Sequence, residues 1–341
     1  MDLDLNPEQQ LVVDALHGLL SDSCSSDVVR ASEPGGFDPD LWAALAELAG
    51  PTIGVPEEQG GGGATLLDLE LMSEQLGAFL APVPFIDSAV AARCLAAAGP
   101  EGGELLAALV DHPTTVATVA LRPSVDGRAT LVPSGAVAEV VVALDADDLV
   151  AVRDAPGPTR SNLGSAPLAD REVRVPDRTV LGGGELAVAT YRAALDEWRV
   201  LMSGALVGVG EAALALGVEY AKDRHQFGKP IGSFQSIARD LADVATLVDG
   251  ARLITREAAW AQDEAPAEYP SLARMAFLFA TRAARRSSNV ALHVHGGYGF
   301  TLEYDIQLYY RRAQAWPLAL GDPRQGAAHL ADALFGPVEA A

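Results

Sequence analysis

Two short segments carry residue types whose spacing suits the binding of a phosphate-bearing ligand. The first is Arg224-His225-Gln226-Phe227-Gly228, followed by Pro230, Gly232 and Phe234-Gln235. An arginine at a helix end, beside a glycine turn, can set a planar fork of donors on a pyrophosphate, while Phe227 supplies an apolar wall. The same residues also fit an ordinary helix exit with a surface arginine and a core phenylalanine. The second segment is His293-Val294-His295-Gly296-Gly297-Tyr298-Gly299-Phe300. Its glycines can present backbone N–H groups to a phosphate or a ring system, and they can equally cap the helix before them. Neither role excludes the other. His293 and His295 have no nearby cysteine or paired carboxylates to complete a metal site. Glu303-Tyr304-Asp305 and Tyr309-Tyr310-Arg311-Arg312 read as a mixed aromatic and charged helix face, suited to an interface or to solvent. No Gly-x-Ser-x-Gly elbow, Walker loop or dinucleotide Gly-x-Gly-x-x-Gly follows a strand pattern.

Helical elements must position both segments. Asn6-Pro7-Glu8-Gln9 reads as a capped helix start, and helices dominate to about residue 110, broken by the Gly54–Gly63 loop with its four consecutive glycines. From about 113 to 182 short β-branched runs, such as Thr114 to Val119 and Val140-Val141-Val142, predict a small β-rich domain. After Gly182-Gly183-Gly184 the helical period returns. Leu241, Val244, Val248 and Ala251, widened by Leu247 and Ile254, form the stripe of a bundle helix. A second long helix is expected over about 272–293, with Met275, Phe279 and Ala283 on one side. Gly204 and Gly208, one turn apart, invite close approach of a neighbouring backbone.

The bulk properties narrow the partners. With 341 residues, 49% of them hydrophobic, the chain is long enough for two or three packed units. A formal net charge of −22 repels nucleic acid and anionic membranes, so an anionic ligand must be held by local donors. Cys24 and Cys94 suggest no disulfide framework, the first residues do not read as a secretion signal, and no apolar run is expected to span a membrane. A cytoplasmic protein is expected.

Arg-x-x-Phe-Gly-Lys-Pro-Ile-x-x-Phe-Gln at 224–235, followed some sixty residues later by His-Gly-Gly-Tyr-Gly-Phe and Glu-Tyr, resembles a pair of signatures of the acyl-CoA dehydrogenase family. Val55-Pro56-Glu57-Glu58-Gln59-Gly60-Gly61 and Glu74-Gln75-Leu76-Gly77 resemble its N-terminal helical domain, and Val175-Pro176 with Leu181-Gly182 the exit from its middle β-domain. The resemblance covers most of the chain. It implies a mainly α fold with a small β domain: an N-terminal helical domain over 1–112, a shortened middle β-domain over 113–182, and a C-terminal four-helix bundle over 183–341. It also implies FAD as cofactor and α,β-dehydrogenation of an acyl-CoA, with a glutamate taking the α proton and the flavin accepting the β hydride. In the family's dimer, Arg224, Phe227, Gln235, Gly296 and Gly297 would hold the adenosine diphosphate of the neighbour's FAD. His293 stands where the family often has glutamine and can still donate one hydrogen bond.

The sequence departs from the family where the chemistry is done. Leu320, in Ala319-Leu320-Gly321-Asp322-Pro323-Arg324-Gln325, stands where the catalytic glutamate is usual, and leucine takes no proton. The family's alternative base position, ahead of Arg199, holds Trp198; Glu197 is one residue away and rotated about 100° around the helix. The segments that hold the flavin ring are missing, Leu121-Arg122-Pro123 being what is left of the first. These departures resemble the non-catalytic type of subunit in actinobacterial α2β2 acyl-CoA dehydrogenases of steroid side-chain degradation. The resemblance implies a related partner that carries the glutamate, the flavin-ring site and the bound steroid acyl-CoA. Two alternatives stay open: a homomeric enzyme using Glu197 or Asp322 as a displaced base, and a helical scaffold without FAD.

Overall fold

The computed structural model describes residues 5–336. Helices α1 (Pro7–Ser23), α2 (Ser26–Ala31), α3 (Pro39–Ala49), α4 (Leu66–Ala78), α5 (Phe85–Ala97) and α6 (Pro100–Asp111) come first. Strands β1 (Ala117–Val119), β2 (Arg128–Val132), β3 (Val140–Asp145), β4 (Asp148–Arg153), β5 (Ala169–Glu172) and β6 (Thr179–Gly183) follow. Then come α7 (Gly184–Asp223), the short strands β7 (His225–Gln226) and β8 (Lys229–Pro230), α8 (Gln235–Glu264), α9 (Tyr269–His295), α10 (Ile306–Ala315) and α11 (Pro323–Phe335). The fold is mainly helical with a small β portion, in the order helical, β, helical. By packing, the chain forms two compact units. One comprises Asp27–Leu69 and Pro82–Trp198; the other takes in the residues up to Ser26, Glu70–Ala81 and those from Arg199 onward.

In the first unit, a four-stranded sheet has the order β1-β3-β4-β6, with β1 parallel to β3 and the other pairs antiparallel. Every residue of β3 is buried, as a near-continuous apolar run demands. Strands β2 and β5 form a separate antiparallel pair. Val132, Val141, Ala143, Val150, Val152 and Val173 close the core between these elements. The β3–β4 hairpin sets Asp145 opposite Asp148. Asp145 is buried, and it is held as a carboxylate by Arg174 and Arg178 at 2.8 Å each and by the Ser124 hydroxyl. Hydrogen bonding from Arg174 is the main reason its pKa falls well below the usual carboxylate range.

The second unit is helical. The expected capping box is present at α1: Asn6 accepts from the Gln9 N–H at 2.8 Å and the Gln9 side chain accepts from the Asn6 N–H at 3.1 Å. On α8 the buried positions include Leu241, Val244, Val248 and Ala251, the stripe read from the sequence. On α9 the buried stripe runs instead through Ala273, Ala276, Ala280 and Ala284, while Met275 and Phe279 are half-buried. Small side chains let α8 and α9 lie close, so the larger ones move to the flanks. Glu303-Tyr304-Asp305 precedes α10 rather than belonging to its face. Helix α7 is long and apolar enough to cross a membrane, contrary to the expectation that no such run exists, but 67% of its most apolar window is buried inside the protein, which makes it a core helix.

The neighbour that Gly204 and Gly208 admit is α4. A Cβ added to Gly208 would stand 2.0 Å from the Glu74 carbonyl oxygen, and one added to Gly77 would stand 2.0 Å from that of Ala205. This close crossing buries Glu70 and Glu74 together. Glu74 pairs with Arg252 at 2.9 Å and Arg256 at 3.4 Å. Both carboxyl oxygens of Glu70 lack a hydrogen-bond partner among the described residues, and burial, aided by the charge of Glu74, raises its pKa well above the usual range.

Candidate functional site

Helix α7 ends at Asp223, and the chain reverses at once. The Arg224 backbone N–H donates to the Tyr220 carbonyl at 2.9 Å, and the Ile231 N–H donates to the Arg224 carbonyl at 2.8 Å. Between them β7 and β8 pair His225 with Pro230 and Gln226 with Lys229, leaving Phe227-Gly228 as a two-residue turn. Both turn residues have positive φ, 54° and 77°, as the favoured hairpin turns of mirror-image type require. For Phe227 that conformation costs about 1–2 kcal/mol, and no burial offsets it, since the side chain is 92% exposed. The ring meets Phe234 edge-on at 6.1 Å, and the Lys229 ammonium lies 4.5 Å over the Phe234 ring. The hairpin is thus anchored on Phe234 while its strained tip stands in solvent. Such strain points to a function for the tip.

The second segment is built by the end of α9. Gly296, with φ of 62°, caps the helix, and its N–H donates to the His293 carbonyl. A 3-10 turn over Gly296–Phe300 follows. An open cavity of about 420 Å³ is lined by Asn289, Leu292, His293, Gly296, Gly297 and Phe300. That volume lies within the range of about 300–1,000 Å³ found for small-ligand sites. At Gly296 and Gly297 an added Cβ would meet nothing within 4 Å, so the backbone there faces open space. His293 is exposed on this cavity, whereas His295 is buried, with Nδ1 2.7 Å from the Ala291 carbonyl and its ring stacked on Tyr220 at 4.2 Å. Burial lowers the pKa of His295, which favours the neutral ring.

The predicted residues are therefore brought together unequally. His293, Gly296 and Gly297 share one cavity. Arg224 reaches the same segment through Tyr298, its guanidinium carbon 6.0 Å from that ring's centre, and it makes no ion pair among the described residues. Phe227, at the hairpin tip, and Gln235, the exposed first residue of α8, do not line the cavity. Asn289 was not singled out from the sequence. Its signal was helical spacing, since residue 289 lies one turn before His293 on the same face of α9. Donor, planar fork and open glycine backbone together suit a diphosphate ester.

The places where a base is sought look different. Leu320 is half-buried at the end of a 3-10 turn over Trp316–Leu320. Asp322 caps α11, accepting from the Arg324 N–H at 2.9 Å, and its carboxylate also takes the Arg324 guanidinium at 2.7 Å. Those hydrogen bonds lower its pKa. Glu197 is bound on both oxygens by Arg93, at 2.9 and 3.0 Å, and Arg93 also donates to the Gly54 carbonyl. The Trp198 indole N–H donates to Asp87 at 2.9 Å, and the Ser134 hydroxyl takes the other Asp87 oxygen. Burial pushes the Asp87 carboxyl up despite both donors. A carboxylate committed to an arginine is a poor base, because proton uptake must first break the pair.

Residues 6–102 match the family description "Acyl-CoA dehydrogenase, N-terminal domain" and residues 187–324 match "Acyl-CoA dehydrogenase, C-terminal domain". The chain belongs to the acyl-CoA dehydrogenase family. It is 30% identical over 327 residues to acyl-CoA dehydrogenase IpdE2 of Mycolicibacterium smegmatis, covering 94% of this chain and 97% of that one. Two solved structures are similar throughout. The ChsE4-ChsE5 complex from Mycobacterium tuberculosis has a TM-score of 0.86 at 26% identity, covering 99% of this chain and 100% of that one. A variant of the Tcur3481-Tcur3483 steroid acyl-CoA dehydrogenase has a TM-score of 0.85 at 25% identity, covering 96% of this chain and 97% of that one. The residues present fit the adenosine diphosphate half of an FAD, the cofactor that the resemblance implies: an arginine without an ion-pair partner among the described residues, open glycine backbone and a cavity of suitable size.

Proposed function

We propose that this chain is one subunit of a heteromeric FAD-dependent acyl-CoA dehydrogenase and supplies the adenosine diphosphate-binding half of the flavin site. A related partner subunit, in an α2β2 assembly, carries the catalytic glutamate, the flavin-ring site and the acyl-CoA. When bound, FAD supplies the hydride acceptor. This chain's own residues bind and orient: Arg224 places a charge-assisted fork on the pyrophosphate, Gly296 and Gly297 offer backbone without side chains, His293 donates to an oxygen, and Phe227 and Gln235 border the ligand from the hairpin and from α8. The observation that carries the reading is the contrast on one chain between an open, cationic ligand segment and base positions filled by Leu320 and Trp198, with Glu197 and Asp322 tied to arginines. Similarity to the ChsE4-ChsE5 complex supports an unlike partner, and similarity to a steroid acyl-CoA dehydrogenase supports a steroid side-chain acyl-CoA as the substrate class.

The test is stoichiometry. Purified through a tag on this chain from cells that make its natural partners, the complex is expected to contain one FAD per pair of unlike chains, and the isolated chain to be colourless and inactive. A yellow, flavin-loaded homodimer that reduces its flavin with an acyl-CoA would overturn the proposal in favour of a homomeric enzyme. A complex devoid of flavin would leave the scaffold reading.

A further inference from the structure

Behind Arg224 lies a continuous series of aromatic rings. His295 stacks on Tyr220 with centroids 4.2 Å apart and planes at 26°, and both rings meet Tyr304 edge-on, at 5.8 and 6.2 Å. Tyr304 meets Tyr298 at 5.7 Å, and the Arg224 guanidinium carbon lies 6.0 Å from the Tyr298 ring centre. The inner end of the series is fixed: His295 is buried and its Nδ1 engages the Ala291 carbonyl. Its outer end is half-exposed at Tyr298, one residue beyond Gly296-Gly297. Arg224 is thus held at two points that belong to the same series. Tyr220 accepts from its backbone N–H, and Tyr298 offers a ring face to its guanidinium.

We infer that Tyr298 is the positioning residue of the site, holding the Arg224 guanidinium and thereby setting its distance from the Gly296-Gly297 backbone. An exposed arginine without a carboxylate partner samples many rotamers, and a bound pyrophosphate must first collect it. An aromatic face narrows that range without neutralising the charge, and the planar fork stays free to meet two oxygens at once. A carboxylate in the same place would fix the arginine equally well but would compete with the anion. The ring is the better support for an anion-binding arginine, and the stack through Tyr304, His295 and Tyr220 ties that support to α7 and α9. The inference rests on the assignment of FAD to this segment.

The experiment is a double-mutant cycle on the FAD dissociation constant of the full complex, purified through this chain, stripped of flavin and titrated back. Tyr298→Leu is expected to weaken FAD about tenfold, and Tyr298→Phe, which keeps the ring, to stay within about twofold of wild type. In an Arg224→Ala background Tyr298→Leu should add less than about twofold, because the arginine through which it acts is gone. A tenfold loss that persists in that background would show a merely structural role and overturn the inference. So would an unchanged constant for Tyr298→Leu when Arg224→Ala alone weakens binding. If Arg224→Ala changes nothing, or the wild-type complex takes up no FAD, the site assignment itself fails and this inference with it.

Discussion

The ligand segment and the would-be base region of this chain treat polar groups in opposite ways. Around Arg224 and Gly296 a cation stands without an ion-pair partner among the described residues, glycine backbone faces open space, and Phe227 keeps a left-handed conformation while almost wholly exposed. Around Glu197, Trp198 and Asp322 every such group is spent inside the chain: on Arg93, on Asp87 and on Arg324. Folding alone explains the second arrangement, because polar groups taken into the interior need partners and Asp322 caps its helix. It does not explain the first, where the left-handed conformation of an exposed Phe227 is kept at a cost. The difference is the one the proposed function calls for: one segment is left open to a ligand, while the carboxylates nearest the base positions are committed to partners within the fold.

Breaking the structural side should give the largest effect. Arg93→Ala removes the arginine that binds both oxygens of the largely buried Glu197 and is expected to lower stability by on the order of 3 kcal/mol, read from urea or thermal unfolding. Arg93→Ala with Glu197→Gln should recover much of that loss. If Glu197 were instead a base, Glu197→Gln would abolish dehydrogenation by the complex, and the contrast would collapse.

On the ligand side, Arg224→Ala removes a charge-assisted contact and is expected to weaken FAD retention by about 1.5–3 kcal/mol, roughly ten- to a hundredfold, with little change in the thermal midpoint of the flavin-free chain. Phe227→Gly is the sharper probe. Glycine adopts positive φ without strain and the lost side chain is exposed, so the isolated chain should gain stability of up to about 1 kcal/mol while the complex holds its flavin less well. A stability loss would mean that the tip is a structural element after all.

The sequence disclosed features whose causes are local. The Asn6-Gln9 capping box, the Leu241–Ala251 stripe and the small-residue step at Gly204 and Gly208 depend on neighbours within one or two turns, and each is found as read. Features joined across the chain were hidden. Arg93 and Glu197 are separated by 104 positions, so nothing in either stretch announces the pair. Local propensity misleads at Phe227, where a left-handed turn is set by Gly228 and the hairpin register while a phenylalanine is retained against its own preference. The motif residues were legible as types, but the ring series that orients Arg224 needs the end of α7 and the end of α9 to meet.

The smallest expected effects separate two acids by pH. Asp145 has its folded pKa depressed by Arg174, so its contribution to stability is fully present above its unfolded value, about 3.9, and is lost as pH falls through the lower folded value. Glu70 has the opposite sign: its folded pKa is raised by burial, so above its unfolded value, near 4.3, the folded chain holds a proton that the unfolded chain releases. Stability then declines with rising pH until the folded group ionises. Glu70→Gln keeps the size of the side chain and removes the titration, and it should flatten that decline in unfolding midpoints taken from pH 5 to 8. Asp145→Asn should instead lower the midpoint at neutral pH, by an amount that shrinks progressively as pH falls below about 4. Identical pH profiles for Glu70→Gln and wild type would mean that Glu70 is ionised in the fold, held by Arg252 and Arg256 in spite of its burial. The α4–α7 crossing would then carry a paired charge rather than a neutral acid.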